Sequence, residues 1–222
     1  MKTREKQKGN QQYKRQSKDH KRTKVNEQGL TFLVNLTDYI DTGLFPDHRK
    51  TRARIRKLAE GKTFLNLFGY TGVASVYAAD GGATATLTID MSNTYLRWAE
   101  DNMLLNKFSV WEHKFEKANC MEWIKSTDQK FDLIFLDPPS FSNSKSMEGD
   151  LDLQRDHRFL IEKTMSLLND GGQLIFSTNR RGFKLDPSLL EKYAVYPQGR
   201  KSLSRDYSRQ RVPHQCWDFR HL

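Results

Sequence analysis

The chain has 222 residues, enough for one domain with a sizeable core plus an appendage, and 36% of them are hydrophobic. Its formal net charge of +10 is uneven: residues 1–24 carry ten Lys/Arg against Glu5 and Asp19, a net of +8, whereas the remainder nets only +2. No apolar run approaches a membrane span or a signal-peptide core, and Cys120, Cys216 and six scattered histidines show no metal-ligand spacing, so the expectation is a cytoplasmic protein with no membrane segment, no metal and no disulfide framework.

Met1 to Asn26 is rich in Lys, Arg and Gln and almost without apolar residues. Such a segment buries too little surface to order itself, so residues 1–26 are expected to be a basic disordered tail or linker and residues 27–222 the folded domain. With a nucleic-acid partner, each phosphate the tail neutralised would add about one to the salt slope of binding.

Leu30–Leu36 alternates well enough for a strand. Gly43 to Arg49 (G-L-F-P-D-H-R) then leads into a basic helix near Thr51–Glu60, whose Arg52, Arg54 and Arg56, with Arg49, face water by default. Asp47-His48-Arg49 precedes the first core strand, where a guanidinium would clamp a ligand carboxylate bidentately.

Thr63-Phe64-Leu65 reads as a buried strand, Asn66 to Gly72 (N-L-F-G-Y-T-G) as a loop, and Val73–Ala79 as a helix. A strand breaking into a helix through two glycines suits a nucleotide-type ligand: the backbone comes close, and the helix N-terminus offers unpaired N–H groups. Ala85–Ile89 is a second strand ending in Asp90, placed to accept both hydroxyls of a ribose. Ser92 is a candidate N-cap for a helix to Asn106 with Leu96, Ala99 and Met103 on one face. Glu112–Ala118 is a weaker strand before Asn119-Cys120 and a short helix from Met121 to Lys125.

Phe131–Leu136 is the clearest buried strand, closed by Asp137-Pro138-Pro139-Ser140-Phe141-Ser142. Two prolines stiffen this loop and turn its carbonyls toward the site; a planar base would stack on Phe141 while Asp137 and the loop carbonyls accept its N–H groups. Asp152–Leu168 is amphipathic, Gly171-Gly172 turns the chain, and Gln173–Ser177 is another strand. Runs near Tyr193–Tyr196 and His214–Phe219 would add a final antiparallel pair. The alternation predicts an α/β, mostly parallel, doubly wound sheet, with the loops at Asn66–Gly72, Asp90, Asn119 and Asp137 meeting at the C-terminal ends of its strands.

N-L-F-G-Y-T-G, an acid ending the next strand and D-P-P-S-F after the fourth resemble the motifs of Rossmann-like, class I S-adenosylmethionine-dependent RNA methyltransferases. G-L-F-P-D-H-R, D-M-S-N-T-Y-L (Asp90–Leu96), D-P-P-S-F-S-N-S-K (Asp137–Lys145) and N-R-R-G-F (Asn179–Phe183) are similar to the C-terminal half of the bifunctional ribosomal RNA large subunit methyltransferase K/L family. The resemblance covers the chain from about Gly29 onward and implies methylation of N7 of a guanine in 23S rRNA. It also implies a missing N-terminal partner half, carrying an RNA-binding module and a guanine-N2 activity, with the basic tail as the inter-half linker.

Carried over residue by residue, Asn66, Phe68, Tyr70, Thr71 and Gly72 would cradle the methionine part of the cofactor, Asp90 the ribose and Met91 the adenine, while Asp47 and Arg49 resemble a cofactor-contacting segment. Asn119, beside Cys120, stands where the family usually has Asp; losing the charge-assisted hydrogen bond to adenine should cost on the order of 1 kcal/mol. Arg180, Arg181 and Lys184, then Arg205 and Arg209, are the expected phosphate contacts.

Related enzymes that methylate C5 of pyrimidines need a cysteine nucleophile, but here the corresponding places hold Ser177-Thr178-Asn179 and Ser140. Guanine N7 has a free lone pair and needs no general base, which agrees with the absence of an evident His–carboxylate dyad. Methylation of an exocyclic amine, and a non-catalytic RNA-binding module on the same fold, are the alternatives. A dehydrogenase would want the full G-x-G-x-x-G, of which only Gly69 and Gly72 are present.

Overall fold

Phe64, Leu133, Phe135 and Ile175 alternate along their strands with Leu65, Ile134, Leu136, Leu174 and Phe176, and in the computed structural model the two sets feed separate apolar clusters on the two faces of one sheet. The structure describes residues 22–38, 41–142, 150–207 and 213–222. Seven strands form the sheet: β3 (Thr63–Leu67), β4 (Ala85–Asp90), β5 (His113–Lys117), β6 (Phe131–Leu136), β9 (Leu168–Thr178), β10 (Tyr193–Pro197) and β11 (Gln215–His221). Their order is β10-β11-β9-β6-β3-β4-β5, parallel from β9 to β5. Strand β11 runs antiparallel to both β9 and β10, with Tyr193 opposite His221. This is the doubly wound α/β sheet expected, with the C-terminal antiparallel pair now in register.

Helices α4 (Cys120–Ser126) and α5 (Leu153–Met165) cover one face, where Trp123, Ile124, Leu160 and Ile161 pack on Leu65, Ile134 and Phe176. Helices α1 (Arg49–Leu58) and α2 (Val73–Asp80) cover the other through Ile55, Ala74 and Ala78. Each fully buried Leu, Ile or Phe contributes about 1.5–3 kcal/mol, so these two layers hold the rim of the sheet rigid. Helix α3 (Asn93–Leu105) begins at Ser92, whose Oγ accepts from Tyr95 N at 3.3 Å; its Met103 packs with α2 against Leu30 and Phe32. Among the described residues no helix is long and apolar enough to cross a membrane.

Three expectations change. Arg22–Asn26, assigned to the tail, belongs to strand β1 (Arg22–Glu27), which pairs antiparallel with β2 (Leu30–Asn35). Its side chains are mostly exposed; backbone pairing and the buried Glu27 hold it, not apolar burial. The rest of the expected tail lies outside the described residues. Helix α5 ends at Met165, and Leu168 opens β9 where Phe131 pairs with it and Phe131 N donates to Leu167 O; the strand runs on through Gly171-Gly172 with a register irregularity opposite Phe131–Leu133. The arginines around α1 do not simply face water. Arg49 and Arg52 both bind Glu27, Arg54 pairs with Asp218, and Arg56 pairs with Asp80.

Candidate active site

Strand register fixes the spacing of the rim. Leu67 of β3 pairs with Ile89 of β4 and with Leu136 of β6, so the next residues, Asp90 and Asp137, lie level on either side of β3. Two inter-strand spacings separate them by roughly 10 Å. The loop from Phe68 to Gly72 passes between them into α2. Phe68 (φ 56°), Tyr70 (φ 50°) and Gly72 (φ 68°) are all left-handed, a strained path for two non-glycine residues. At Gly69 a Cβ would come 2.3 Å from Thr88 Cγ2, and at Gly72 2.6 Å from Ala99 Cβ. Only glycine lets this loop lie so close to β4 and α3.

Asp90 pins the loop. One carboxylate oxygen accepts from Tyr70 N and the other from Ser92 N, each at 2.9 Å, which leaves further lone pairs on both for incoming hydroxyl donors. Burial raises its carboxyl above the ordinary aspartate value, partly offset by the backbone N–H groups of Ser92, Tyr70 and Met91. Met91 is half-buried beside it. From the next strand, Asn119 caps α4: its Oδ1 accepts from Met121 N at 3.0 Å. Cys120 is buried under the loop, its sulfur accepting from Phe68 N at 3.2 Å and donating to Ile89 O at 3.6 Å. Burial drives its thiol far above the ordinary range, and pushes that of the other buried cysteine, Cys216, up to about 12. Burial disfavours the thiolate, the nucleophilic form, at both.

Several expected ligand contacts are occupied by the protein itself. Asn66 is buried and donates to Ser75 Oγ at 3.0 Å, and Ser75 shares a 2.7 Å hydrogen bond with Thr88, tying β3 to α2 and β4. Thr71 Oγ1 donates to Gly43 O at 2.6 Å, and the Tyr70 hydroxyl donates to Asp41 O at 3.3 Å. These bonds fasten the glycine loop to Asp41 and Gly43, at the entry to the G-L-F-P-D-H-R segment. Arg49 binds Glu27 at 3.2 Å and Asp206 at 2.9 Å, so its guanidinium holds protein carboxylates.

The base loop is clamped from β9. Ser140 Oγ donates to Asn179 Oδ1 at 2.9 Å, and Arg180 Nη1 lies 3.1 Å from both Ser140 O and Asp152 Oδ1. Leu153 N also donates to Ser140 O at 3.2 Å, so this carbonyl, expected to face the site, is turned into the protein. After Pro138 and Pro139, Phe141 opens β7 (Phe141–Ser142), which pairs with β8 (Leu151–Asp152), and the residue is 45% exposed. Arg181 and Lys184 are exposed just beyond β9, and Arg205 is exposed in the turn that Asp206 ties to Arg49. Arg209 lies outside the described residues.

Sequence reasoning missed the histidines. His48 Nε2 lies 3.6 Å from the Asp137 carboxylate and 3.8 Å from that of Asp47, and His214 Nδ1 is 2.9 Å from Asp47. A His–carboxylate cluster therefore sits behind Asp137, contrary to expectation. The D-H-R string was the one local clue; His214 is 167 positions from Asp47 and gave none. Burial pushes the Asp47 carboxyl up, but the hydrogen bond from His214 and the charges of His48 and His214 outweigh it and leave the group below its ordinary value. Ligand atoms of Asp47, His48 and His214 fall within 4.8 Å of one another, yet the two imidazoles stack at 4.1 Å and 14°. Stacked rings hold their nitrogen lone pairs in near-parallel planes, which do not meet at a single ion. A separate cavity of about 400 Å³, lined by Val25, Glu27, Leu36, Leu44, Pro46 and Arg49 among others, lies beside the β1–β2 hairpin; Asp90, Asn119 and Asp137 do not line it.

A family model described as S-adenosylmethionine-dependent methyltransferase matches residues 14–204. The ribosomal RNA large subunit methyltransferase K/L of Hahella chejuensis is 53% identical over 221 residues, covering 100% of this chain and 31% of that protein. Its counterpart in Magnetococcus marinus is 52% identical over 220 residues, covering 98% of this chain and 30% of that protein. The chain matches their C-terminal region and spans about a third of the length of these curated relatives. Among solved structures, SMU.776 complexed with SAH aligns over 91% of this chain and 57% of its own at 24% identity, with a TM-score of 0.79. A SAM-dependent methyltransferase from Agrobacterium tumefaciens aligns over 90% of this chain and 69% of its own at 21% identity, with a TM-score of 0.71. At these identities the structural likeness is one of fold.

Proposed function

The chain belongs to the S-adenosylmethionine-dependent methyltransferase family, and from that premise we propose that it methylates N7 of a guanine in 23S rRNA, in the cytoplasm and without a covalent intermediate. The cofactor, when bound, supplies a methyl group on a positively charged sulfonium. The observation that carries the reading is the level placement of Asp90 and Asp137 on either side of β3 with the strained glycine loop between them. The residues fit the cofactor: Asp90 keeps lone pairs for two ribose hydroxyls, and a side chain at Gly69 or Gly72 would displace the loop that lines the cradle.

In this reading the backbone of Phe68–Gly72 cradles the methionine part, Met91 and Asn119 receive the adenine, and Asn66, Thr71 and Cys120 hold the loop from behind. Phe141 stacks on the extruded base and Asp137 accepts its N–H groups. The Asp137 carboxylate would stabilise the positive charge that the purine gains on methylation at N7. No proton has to leave, so catalysis is mainly positioning. Arg181, Lys184 and Arg205 take the phosphates of the target strand. The K/L relatives, whose printed name specifies ribosomal RNA, support the substrate class. Their greater length supports a partner half acting beside this chain.

Incubation with unmodified 23S rRNA and methyl-labelled cofactor, followed by nucleoside mass spectrometry, tests the reading. Label in 7-methylguanosine is expected, and the Asp137→Ala variant should lose turnover while still binding cofactor. Label in an exocyclic N-methylated base would replace the N7 assignment with the amine reading. Label in 5-methylcytidine would overturn the exclusion of C5 chemistry.

A further inference from the structure

Three separate parts of the chain converge behind the target-base loop. Asp47 and His48 come from a 3-10 turn (Pro46–His48) ahead of α1, Asp137 from the end of β6, and His214 from the entry to β11. The His48 side chain is 10% exposed and that of His214 is 0%. The His48 ring is gripped on its face by His214 at 4.1 Å and meets Phe135 edge-on at 6.1 Å, so it has little freedom to turn. Its Nε2 faces the two carboxylates of Asp137 and Asp47.

Carboxylates only accept, so the single proton of a neutral His48 belongs on Nε2. The opposite nitrogen, Nδ1, is buried with no hydrogen-bond partner among the described residues, as is Nε2 of His214. An unpaired acceptor nitrogen is tolerable there, whereas an orphaned N–H would be rarer and costlier. The same logic puts a proton on Nδ1 of His214, donated to Asp47 at 2.9 Å. Burial lowers the tendency of His48 to take a second proton, against the pull of Asp137 and Asp47; His214 and Arg52 are the positive or ionisable groups facing it that act the same way as burial. The Arg52 guanidinium is itself held by Glu27 and by Phe45 O. The cluster thus presents one directed N–H to Asp137 without adding a cation that would cancel its charge.

We propose that His48 is a positioning residue for Asp137: its Nε2–H holds the carboxylate toward the target base, and the Asp47–His214 pair buttresses the His48 ring from behind. Nε2 lies a few tenths of an ångström beyond hydrogen-bond reach of the carboxylate, a gap of the kind that closes in an enzyme once substrate is bound. His48 stands on the Asp137 side of β3, away from the Asp90 cradle, so it acts on turnover and not on cofactor binding. This assignment rests on the methyl-transfer reading for its kinetic consequence but not for its tautomer.

The test pairs His48→Leu with His48→Gln, whose side-chain amide restores an N–H near the position of Nε2. Misplacing a reacting group by about 1 Å costs up to about 100-fold. His48→Leu should therefore lower kcat on 23S rRNA by about 10- to 100-fold with an unchanged Kd for the cofactor, and His48→Gln should recover most of the loss. Equal damage in both variants, an unaltered kcat in His48→Leu, or a cofactor Kd that worsens in step with kcat would overturn it. Because His48→Leu stands to unfold the turn, the unmodified protein provides a second readout. Two-bond proton–nitrogen NMR of the uniformly 15N-labelled chain, with the His48 signals identified by their loss in His48→Gln, should show the Nε2–H tautomer at neutral pH. An Nδ1–H tautomer or a doubly protonated ring would overturn the assignment even if the wild-type chain made no 7-methylguanosine, a result that would sink the methyl-transfer reading separately.

Discussion

Replacing Asp90 by Ala removes the group on which cofactor recognition turns. Its two oxygens already accept from Tyr70 N and Ser92 N at 2.9 Å, and both keep lone pairs for hydroxyl donors. A hydrogen bond to a charged group is worth about 1.5–3 kcal/mol, so losing two ribose contacts should cost about 3–6 kcal/mol, or about 10²- to 10⁴-fold in Kd. Part of that loss is indirect, since the truncation also releases the left-handed Tyr70 from its anchor. Asp90→Asn keeps one acceptor but points an amide at a backbone N–H, and should fall between wild type and Ala. Titration calorimetry with S-adenosylmethionine or its demethylated product reads the effect directly. An Asp90→Ala variant that binds within about threefold of wild type while remaining folded would refute the assignment of Asp90 to the ribose.

The same carboxyl predicts a pH dependence. Burial holds it above its ordinary 3.8, so its contribution to folding stability is full below that value and is lost as pH rises through the folded one. Ribose hydroxyls donate to the ionised form, so cofactor Kd should rise as pH falls through this window, and Asp90→Asn should flatten the profile. Arg180→Ala frees Ser140 O and Asp152, and should lower kcat/KM on rRNA about tenfold with cofactor Kd unchanged. If instead the salt slope of RNA binding dropped by about one, Arg180 would be a phosphate contact. Glu27→Ala removes the carboxylate partner of the buried Arg52 guanidinium, 5% exposed, and should cost about 3–5 kcal/mol in urea unfolding. A loss below about 1 kcal/mol would mean that water reaches Arg52.

The strands and their rim were legible because alternation such as Leu133-Ile134-Phe135-Leu136 is a local property that survives into the fold. Asp90 and Asp137 were legible for the same reason: each ends such a run. Strand β1 was not, because R-T-K-V-N-E buries almost nothing and is held by pairing with β2 and by the ion pairs of Glu27. Composition carries no trace of a partner supplied by a neighbouring strand. The Arg180–Asp152 pair was not legible for a related reason, since its partner sits 28 positions away in the chain. The Asp47–His214 contact spans nearly the whole domain, and no periodicity links its two ends.

The most direct test is a crystal structure with S-adenosylhomocysteine bound. The ribose hydroxyls should lie on Asp90, the adenine between Met91 and Asn119, and the thioether sulfur should face the Asp137–Phe141 loop. Density for the ligand in the cavity beside Val25 and Arg49, or a ligand on Asp90 whose sulfur points away from Asp137, would contradict the account.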